Sequence, residues 1–302
     1  MQPNEFLALF SSLYPLQVQD FLRLGGSGEN LSSPGLAMDW LMSRMSGYGE
    51  VSRRIEAAQC ERVYRLHEDL LTKSIFYIYP GHQDYPKNFF QAEPLPLIIY
   101  YRGQLPATKQ KRLAIVGSRE IQAELGDWLE IELGQYLSRQ PSVVISGGAR
   151  GVDQIGHRVA LRHNVPTVVF LPSGLENIYP RDFASWVSYI MESGGCLMSE
   201  FPPDVPMRRY HFAKRNRLIA AFADLVLIAQ AARASGTMMT AKHALHMGRS
   251  LCVVPQAPFL PEALGGIDLI ADGAMVVRDW RDLLLAMDTS GPNRFESPNC
   301  VE

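Results

Sequence analysis

From Arg112 onward the chain alternates short apolar runs with stretches whose apolar residues recur at helical spacing. The runs are Leu113–Val116, Val143–Ile145, Thr167–Leu171, Cys196–Met198, Leu225–Ala229, Leu251–Val254 and Met275–Val277. Each is short and almost wholly apolar, as a strand covered on both faces must be. Between them the pattern predicts helices near residues 123–138, 151–163, 181–193, 212–222, 238–247 and 262–271. Strand and helix in alternation predict an α/β fold, an extended Rossmann-like, doubly wound and mainly parallel sheet. Ligands of such sheets bind outside the carboxyl ends of the strands, so the loops that follow the runs are where chemistry belongs.

The first 75 residues have a different rhythm. Phe6–Leu9, Leu13–Phe21 and Leu36–Met42 carry helix-spaced apolar positions, broken by Gly25-Gly26 and Ser33-Pro34-Gly35, and a further amphipathic stretch runs from about Val51 to Leu71. This predicts a small helical domain over residues 1–75. Proline and aromatic residues then mark an extended path, packed on the domain that follows, from Ile75 through P-L-P-L-I-I-Y-Y-R-G. The main domain is expected to span residues 76–288, and residues 289–302 read as a loose tail.

The chain has 302 residues, of which 47% are hydrophobic and 20% charged, an ordinary globular balance. No stretch is apolar enough to cross a bilayer, and M-Q-P-N-E-F lacks the layout of a secretory signal. The four cysteines (Cys60, Cys196, Cys252, Cys300) have no metal or disulfide spacing, so reduced thiols in the cytoplasm are expected. A net charge of −2 argues against coating nucleic acid through bulk charge. The segment R-R-Y-H-F-A-K-R-N-R, Arg208–Arg217, holds five cations and no acid, and can focus a positive potential locally.

Four strand-end loops share one chemistry. Gly117-Ser118-Arg119 follows the first run and could seat a phosphate beside a cation; an ordinary tight turn is the alternative. Ser146, Gly147, Gly148, Arg150 and Gly151 belong to S-G-G-A-R-G-V-D, set between a strand and a helix whose first N–H groups lack internal partners. Glycines there let a phosphate approach closely and Arg150 offers a fork of donors, although close helix–strand packing would also require them. Asp153 would cap the helix or orient Arg150, and His157 would lie on the helix surface or the pocket rim. The third loop is the basic segment itself, where His211, Phe212, Lys214, Arg215, Asn216 and Arg217 interleave rings with cations, as single-stranded nucleic-acid sites do. The fourth is Ser235-Gly236-Thr237 with Thr240, residues that suit an N-cap and a phosphate equally.

No catalytic set, metal site or cofactor fingerprint emerges. The sequence has no G-K-[ST] loop, no G-x-S-x-G, no H-E-x-x-H and no G-x-G-x-x-G. Glu200 is read as the holder of a basic partner, and Met238, Met239 and Met247 as packing.

With these residues in order, residues 75–278 resemble the DprA/Smf family of DNA-processing proteins. The likeness rests on D-Y-P, P-L-I-I-Y-Y-R-G, A-I-V-G-S-R, S-G-G-A-R-G-V-D, L-P-S-G-L-E-N-I-Y-P, S-E-F-P-P, H-F-A-K-R-N-R-L-I-A, S-G-T-M-M-T-A and G-R-S-L-C-V-V-P, all in one order. The resemblance implies sequence-independent binding of single-stranded DNA, dimerisation, and transfer of that DNA to a RecA-type recombinase during natural transformation. It implies that Arg150, Lys214 and Arg217 grip phosphates while Phe212 or His211 presents a base, and that the N-terminal helices form a SAM-like domain. The chain departs from the family pattern at Gln230, Gln256 and Ile267, positions expected around the pocket floor, and its length leaves no room for a winged-helix domain.

The expectation is therefore a cytoplasmic, non-enzymatic single-stranded DNA-binding protein, self-associating and not membrane-bound. Two other readings stay open on the residues. One is a nucleotide sensor or a phosphoribohydrolase-like enzyme on the same fold, although Q-A-A-R-A-S-G-T-M-M-T lacks the catalytic acid of those enzymes' P-G-G-x-G-T-x-x-E motif. The other is a specialised relative serving mobile-element biology or defence.

Overall fold

The computed structural model describes residues 1–14, 36–37, 40 and 57–290. Most of the stretches expected to be helical at 13–21 and 36–42 lie outside the described residues, as do residues 291–302 of the expected tail.

The described N-terminal residues include helices α1 (Pro3–Leu13) and α2 (Ala57–Thr72). Pro3 presets the backbone at the first helical position of α1, and the Glu5 carboxylate accepts the Gln2 N–H at 3.0 Å. An edge ribbon follows, β1 (Phe76–Ile78) and β2 (Ile99–Gly103). The alternating region then runs β3 (Arg112–Val116), α3 (Ala123–Arg139), β4 (Val143–Ser146), α4 (Val152–Arg162), β5 (Thr167–Phe170), α5 (Val187–Glu192) and β6 (Cys196–Ser199). It continues with α6 (His211–Phe222), β7 (Leu225–Ile228), α7 (Gly236–His246), β8 (Ser250–Val253), α8 (Leu264–Ala271), β9 (Met275–Val276) and α9 (Trp280–Thr289).

The nine strands of the described residues form one sheet in the order β1-β2-β6-β5-β4-β3-β7-β8-β9. The predicted apolar runs are its parallel strands; β2 pairs antiparallel with β6, and β1 with β2. The sequence pattern missed that ribbon, reading it only as extended chain, and it missed α9.

Side chains alternate across the sheet. Leu113 and Ile115 pack with α3, α4 and α9, whereas Ala114 and Val116 pack with the apolar half of α6. Phe6–Phe10 of α1 and Cys60, Val63 and Leu70 of α2 share a core with Tyr100, Val169 and Leu197 of the sheet and with Leu171 just after β5.

The chain order decides where a site can form. Strands β3 to β6 step outward in one direction. The chain then returns across the sheet as α6, which touches β3, β4 and β5, and lays β7 on the opposite side of β3. Leu113 to Val116 pair with Leu225 to Ile228 at that junction. The reversal creates a crevice at the carboxyl ends of β3 and β7, the usual ligand position in doubly wound sheets. Because α6 runs antiparallel to the strands, its first turns, with their cations, reach the same edge.

Candidate nucleic-acid interface

The loop after β4 is organised from within. Asp153, 6% exposed, accepts N–H bonds from Gly147 at 3.1 Å and from Ala149 at 3.4 Å through one carboxylate oxygen. The anion nest expected here is therefore occupied in part by the chain's own carboxylate. Burial raises the Asp153 pKa, while Arg215 and the two N–H groups oppose that shift. Asp153 does not orient Arg150, which instead pairs with Asp182 at 3.2 Å on the surface.

Arg215 is the cation that the loop encloses. Its side chain is 5% exposed, its Nη1 lies 4.0 Å from the Asp153 carboxylate, and its Nε and Nη1 have no hydrogen-bond partner. Burial lowers its pKa to about 10, so it stays charged at neutral pH. A Cβ on Gly147 would collide with this guanidinium, and one on Gly151, where φ is +76°, would meet the Ser118 and Arg119 carbonyl oxygens at 2.4 and 2.6 Å. Both glycines are required by packing, the alternative reading of the loop.

Three predicted contact groups face inward instead. The Ser146 hydroxyl donates to the Ile115 carbonyl at 2.6 Å. The His211 ring is 2% exposed, stacks on Phe201 with centroids 3.9 Å apart, and sets Nδ1 2.9 Å from the Pro172 carbonyl. Arg217, also 2% exposed, sets its Nη2 alone against both Glu200 carboxylate oxygens, at 2.5 and 2.7 Å, and its Nε and Nη1 have no hydrogen-bond partner. On a helix that lies flat on the sheet, positions four or more residues in are carried into the core, and the Glu200 carboxylate compensates a charge that could not otherwise be buried. Glu200 holds a basic partner, as expected.

His157 is a further correction. It is fully buried against Phe183 with Nδ1 2.7 Å from the Thr167 hydroxyl, and burial takes its pKa down to about 3. Nor do Gln230, Gln256 and Ile267 line either of the two concavities described below. The Gln230 amide donates to Gln256 at 3.0 Å, and Gln256 donates to the Ala229 carbonyl at 2.6 Å.

The remaining groups surround two adjoining concavities. A compact one of about 340 Å³ occupies the β3/β7 crevice, walled by Val116–Glu120, by Asp153, Phe212, Arg215 and Asn216, and by Ser235–Thr237 with Thr240. There the Ser235 side chain accepts the Met238 N–H, capping α7, and the Asn216 amide donates to the Gly236 carbonyl at 3.0 Å. A wider groove of about 700 Å³ passes Gly147, Ala149, Arg150, Pro172 and Tyr179–Asp182. Phe212 stands between them with the Arg119 guanidinium 5.3 Å and the Arg215 guanidinium 5.8 Å from its ring centre, and Tyr179 edge-on at 5.9 Å. Lys214 is exposed 6.0 Å from the Tyr210 ring, and Arg119, Arg150 and Arg181 are exposed as well. Tyr179 and Arg181 were not predicted. Their signal is topological: β5 neighbours β4, so the loop after one faces the loop after the other.

Among the described residues there is no group of His, Cys, Asp and Glu suited to a metal, and no helix long and apolar enough to cross a membrane. Residues 76–288 match the sequence profile of DNA recombination-mediator protein A. The chain belongs to that family. Protein Smf of Escherichia coli is 34% identical over 200 residues, 66% of this chain and 53% of that protein, and the Smf of Borreliella burgdorferi is 32% identical over 60% of its own length. The chain thus spans little more than half the length of these curated relatives.

Solved members of the DNA recombination-mediator protein A family share the fold. The X-ray structure of DprA from Streptococcus pneumoniae superposes with a TM-score of 0.72 and 26% identity, covering 94% of this chain and 98% of that one. DprA from Helicobacter pylori, whose structure concerns its single-stranded DNA binding mode, superposes at 0.62 with 28% identity, covering 72% and 97%.

Proposed function

We propose that this protein binds single-stranded DNA along the carboxyl edge of its sheet, without sequence preference and without chemistry of its own. One observation carries the reading: the Phe212 ring, which lines both cavities, has two guanidiniums at 5.3 and 5.8 Å from its centre and shares the wider groove with exposed Arg150 and Arg181. A ring of this kind stacks with any base while neighbouring cations hold phosphates. Cations beside a stacking ring engage phosphates and exposed bases and carry no sequence information. The kinship with the Helicobacter pylori protein supports the same ligand class.

The test is anisotropy titration of labelled single-stranded and duplex oligonucleotides at two salt concentrations. Affinity for the single strand that is higher and falls steeply with salt is expected; equal affinity for both forms overturns the reading. Transfer of the strand to a RecA-type recombinase is the finer proposal that the family resemblance adds. It predicts faster filament assembly on single-stranded DNA pre-bound by this protein. Release of free base from nucleoside monophosphates would instead favour the hydrolase reading.

A further inference from the structure

We infer that His211 is a positioning residue for the strand site: it latches the first turn of α6 to the loop after β5, so that Phe212 and Lys214 stand ready at the edge of the sheet. The inference deepens the strand-binding reading and rests on it for the role of Phe212 and Lys214, not for the latch itself.

The turn that carries these groups is poorly held by its own sequence. α6 begins at His211 with no side-chain cap and no acid in its first turn, while Arg208 and Arg209 precede it and Lys214 and Arg215 follow closely. Cations there oppose the helix dipole, and an uncapped first turn leaves N–H groups without acceptors. Helices α7 and α9 are capped instead: the Ser235 side chain accepts the Met238 N–H, and Asp279 accepts the Arg281 N–H. An acidic cap on α6 would steady the turn but repel a phosphate at the same edge.

His211 supplies a hold that adds no negative charge. Its ring is 2% exposed, stacks on Phe201 with 24° between the planes, and sets Nδ1 2.9 Å from the Pro172 carbonyl. A carbonyl only accepts, so that contact puts the proton on Nδ1. The Arg208 N–H, 3.3 Å from the same nitrogen, cannot then bond to it. The seat is fixed independently of the ring. The Ser199 hydroxyl donates to the Ser173 carbonyl at 2.7 Å and accepts the Phe201 N–H at 3.0 Å, which ties the loops after β5 and β6 to one another.

Place along the helix carries the latch to the strand site. Pro172 lines the wider groove, and Phe212, the residue after His211, lines both concavities. With the His211 ring held in its seat the rotation of the first turn is set, Phe212 lies 5.3 Å from the Arg119 guanidinium, and Lys214 is turned to solvent. A loose turn would have to be ordered by the arriving strand, at a cost in affinity.

Two variants separate the bond from the packing. His211→Phe keeps a stacking ring and loses the donor; His211→Asn loses the ring and keeps an N–H donor close to the position of Nδ1. Thermal unfolding verifies that each folds. The latch is read without DNA, by hydrogen exchange of residues 208–216: faster exchange in His211→Phe and near wild-type exchange in His211→Asn are expected. Its consequence is read by anisotropy with a labelled single-stranded oligonucleotide. Binding should weaken about tenfold in His211→Phe and stay within about threefold of wild type in His211→Asn. Phe212→Ala should weaken the wild type but add little in His211→Phe, whereas Arg150→Ala should weaken both backgrounds by the same factor.

Unchanged exchange in His211→Phe, or equal losses in His211→Phe and His211→Asn, overturns the latch. An undiminished effect of Phe212→Ala in the His211→Phe background overturns its action through Phe212. If His211→Phe does not fold, His211→Asn decides alone, and fast exchange or weak binding there overturns the inference. If the wild type binds no single-stranded DNA, the strand-binding reading falls and hydrogen exchange alone decides the latch.

Discussion

A Cβ on Gly147 would lie 1.0 Å from Nη1 of Arg215. The glycine after β4 is thus the space into which a buried guanidinium from α6 fits, and the two positions form one packing unit. Gly147→Ala forces the guanidinium aside into a closed surrounding and is expected to lower stability by about 1–3 kcal/mol. The double variant with Arg215→Ala should lose less than the sum of the singles. Urea unfolding of the four proteins in that cycle checks the coupling, and additive losses would contradict the packing described.

Arg217 and Lys214 sit three residues apart on one helix and are expected to fail differently. Arg217→Ala strands Glu200, which is 19% exposed, and should cost about 3 kcal/mol, the lower end for breaking a buried pair. Lys214 is exposed, so Lys214→Ala should leave the unfolding midpoint unchanged. Its effect belongs to binding, where the slope of log affinity against log salt should fall by about 0.7. A stable Arg217→Ala, measured by thermal unfolding, would contradict the role assigned to the ion pair.

Asp182 competes for Arg150. The pair is exposed, 72% for the arginine and 51% for the acid, so its loss should hardly alter stability. Asp182→Asn releases the guanidinium and removes a negative charge from the wider groove. Affinity for single-stranded DNA should rise about twofold to fivefold, an amount in keeping with surface pairs. Anisotropy titration at low salt is the measurement, and unchanged affinity would remove Arg150 from the strand path.

Acid sensitivity should trace in part to His157. Burial lowers its pKa in the fold from 6.5 to about 3, so between those values the unfolded chain binds the extra proton. Stability therefore rises with pH across that window and is lost as pH falls from about 6.5 toward 3. His157→Gln, which removes the titrating ring, should flatten the dependence of the urea midpoint between pH 6.5 and 5, whatever it does to the midpoint at pH 7. An unaltered slope would assign the effect to other groups.

The parallel strands were legible because a strand covered on both faces must be apolar throughout, and the runs found in the sequence match the strands to within a residue or so at either end. The antiparallel edge was not: Phe76–Ile78 and Ile99–Gly103 are flanked by prolines and mix exposed with buried positions, so they lack that signature. Loops around the two concavities were legible because carboxyl ends of strands follow from strand positions. Which side chains point outward was not legible. Lys214 and Arg217 look alike in the sequence, and only the path of α6 across the sheet turns one to solvent and the other to Glu200. The pairing of Asp153 with the Gly147 and Ala149 amides was likewise hidden, since Asp at a helix start has several local partners within reach.

Gly151 rests on the carbonyls of Ser118 and Arg119, and the Val152 N–H donates to Ser118 at 3.2 Å. The turn after β3 and the head of α4 are thereby bolted together, and neither can swing without the other. A guest arriving at this edge meets a backbone already set, so the ordering left to the protein on association is that of its exposed arginine and lysine side chains. Docking should then proceed as a single kinetic phase whose rate scales linearly with concentration.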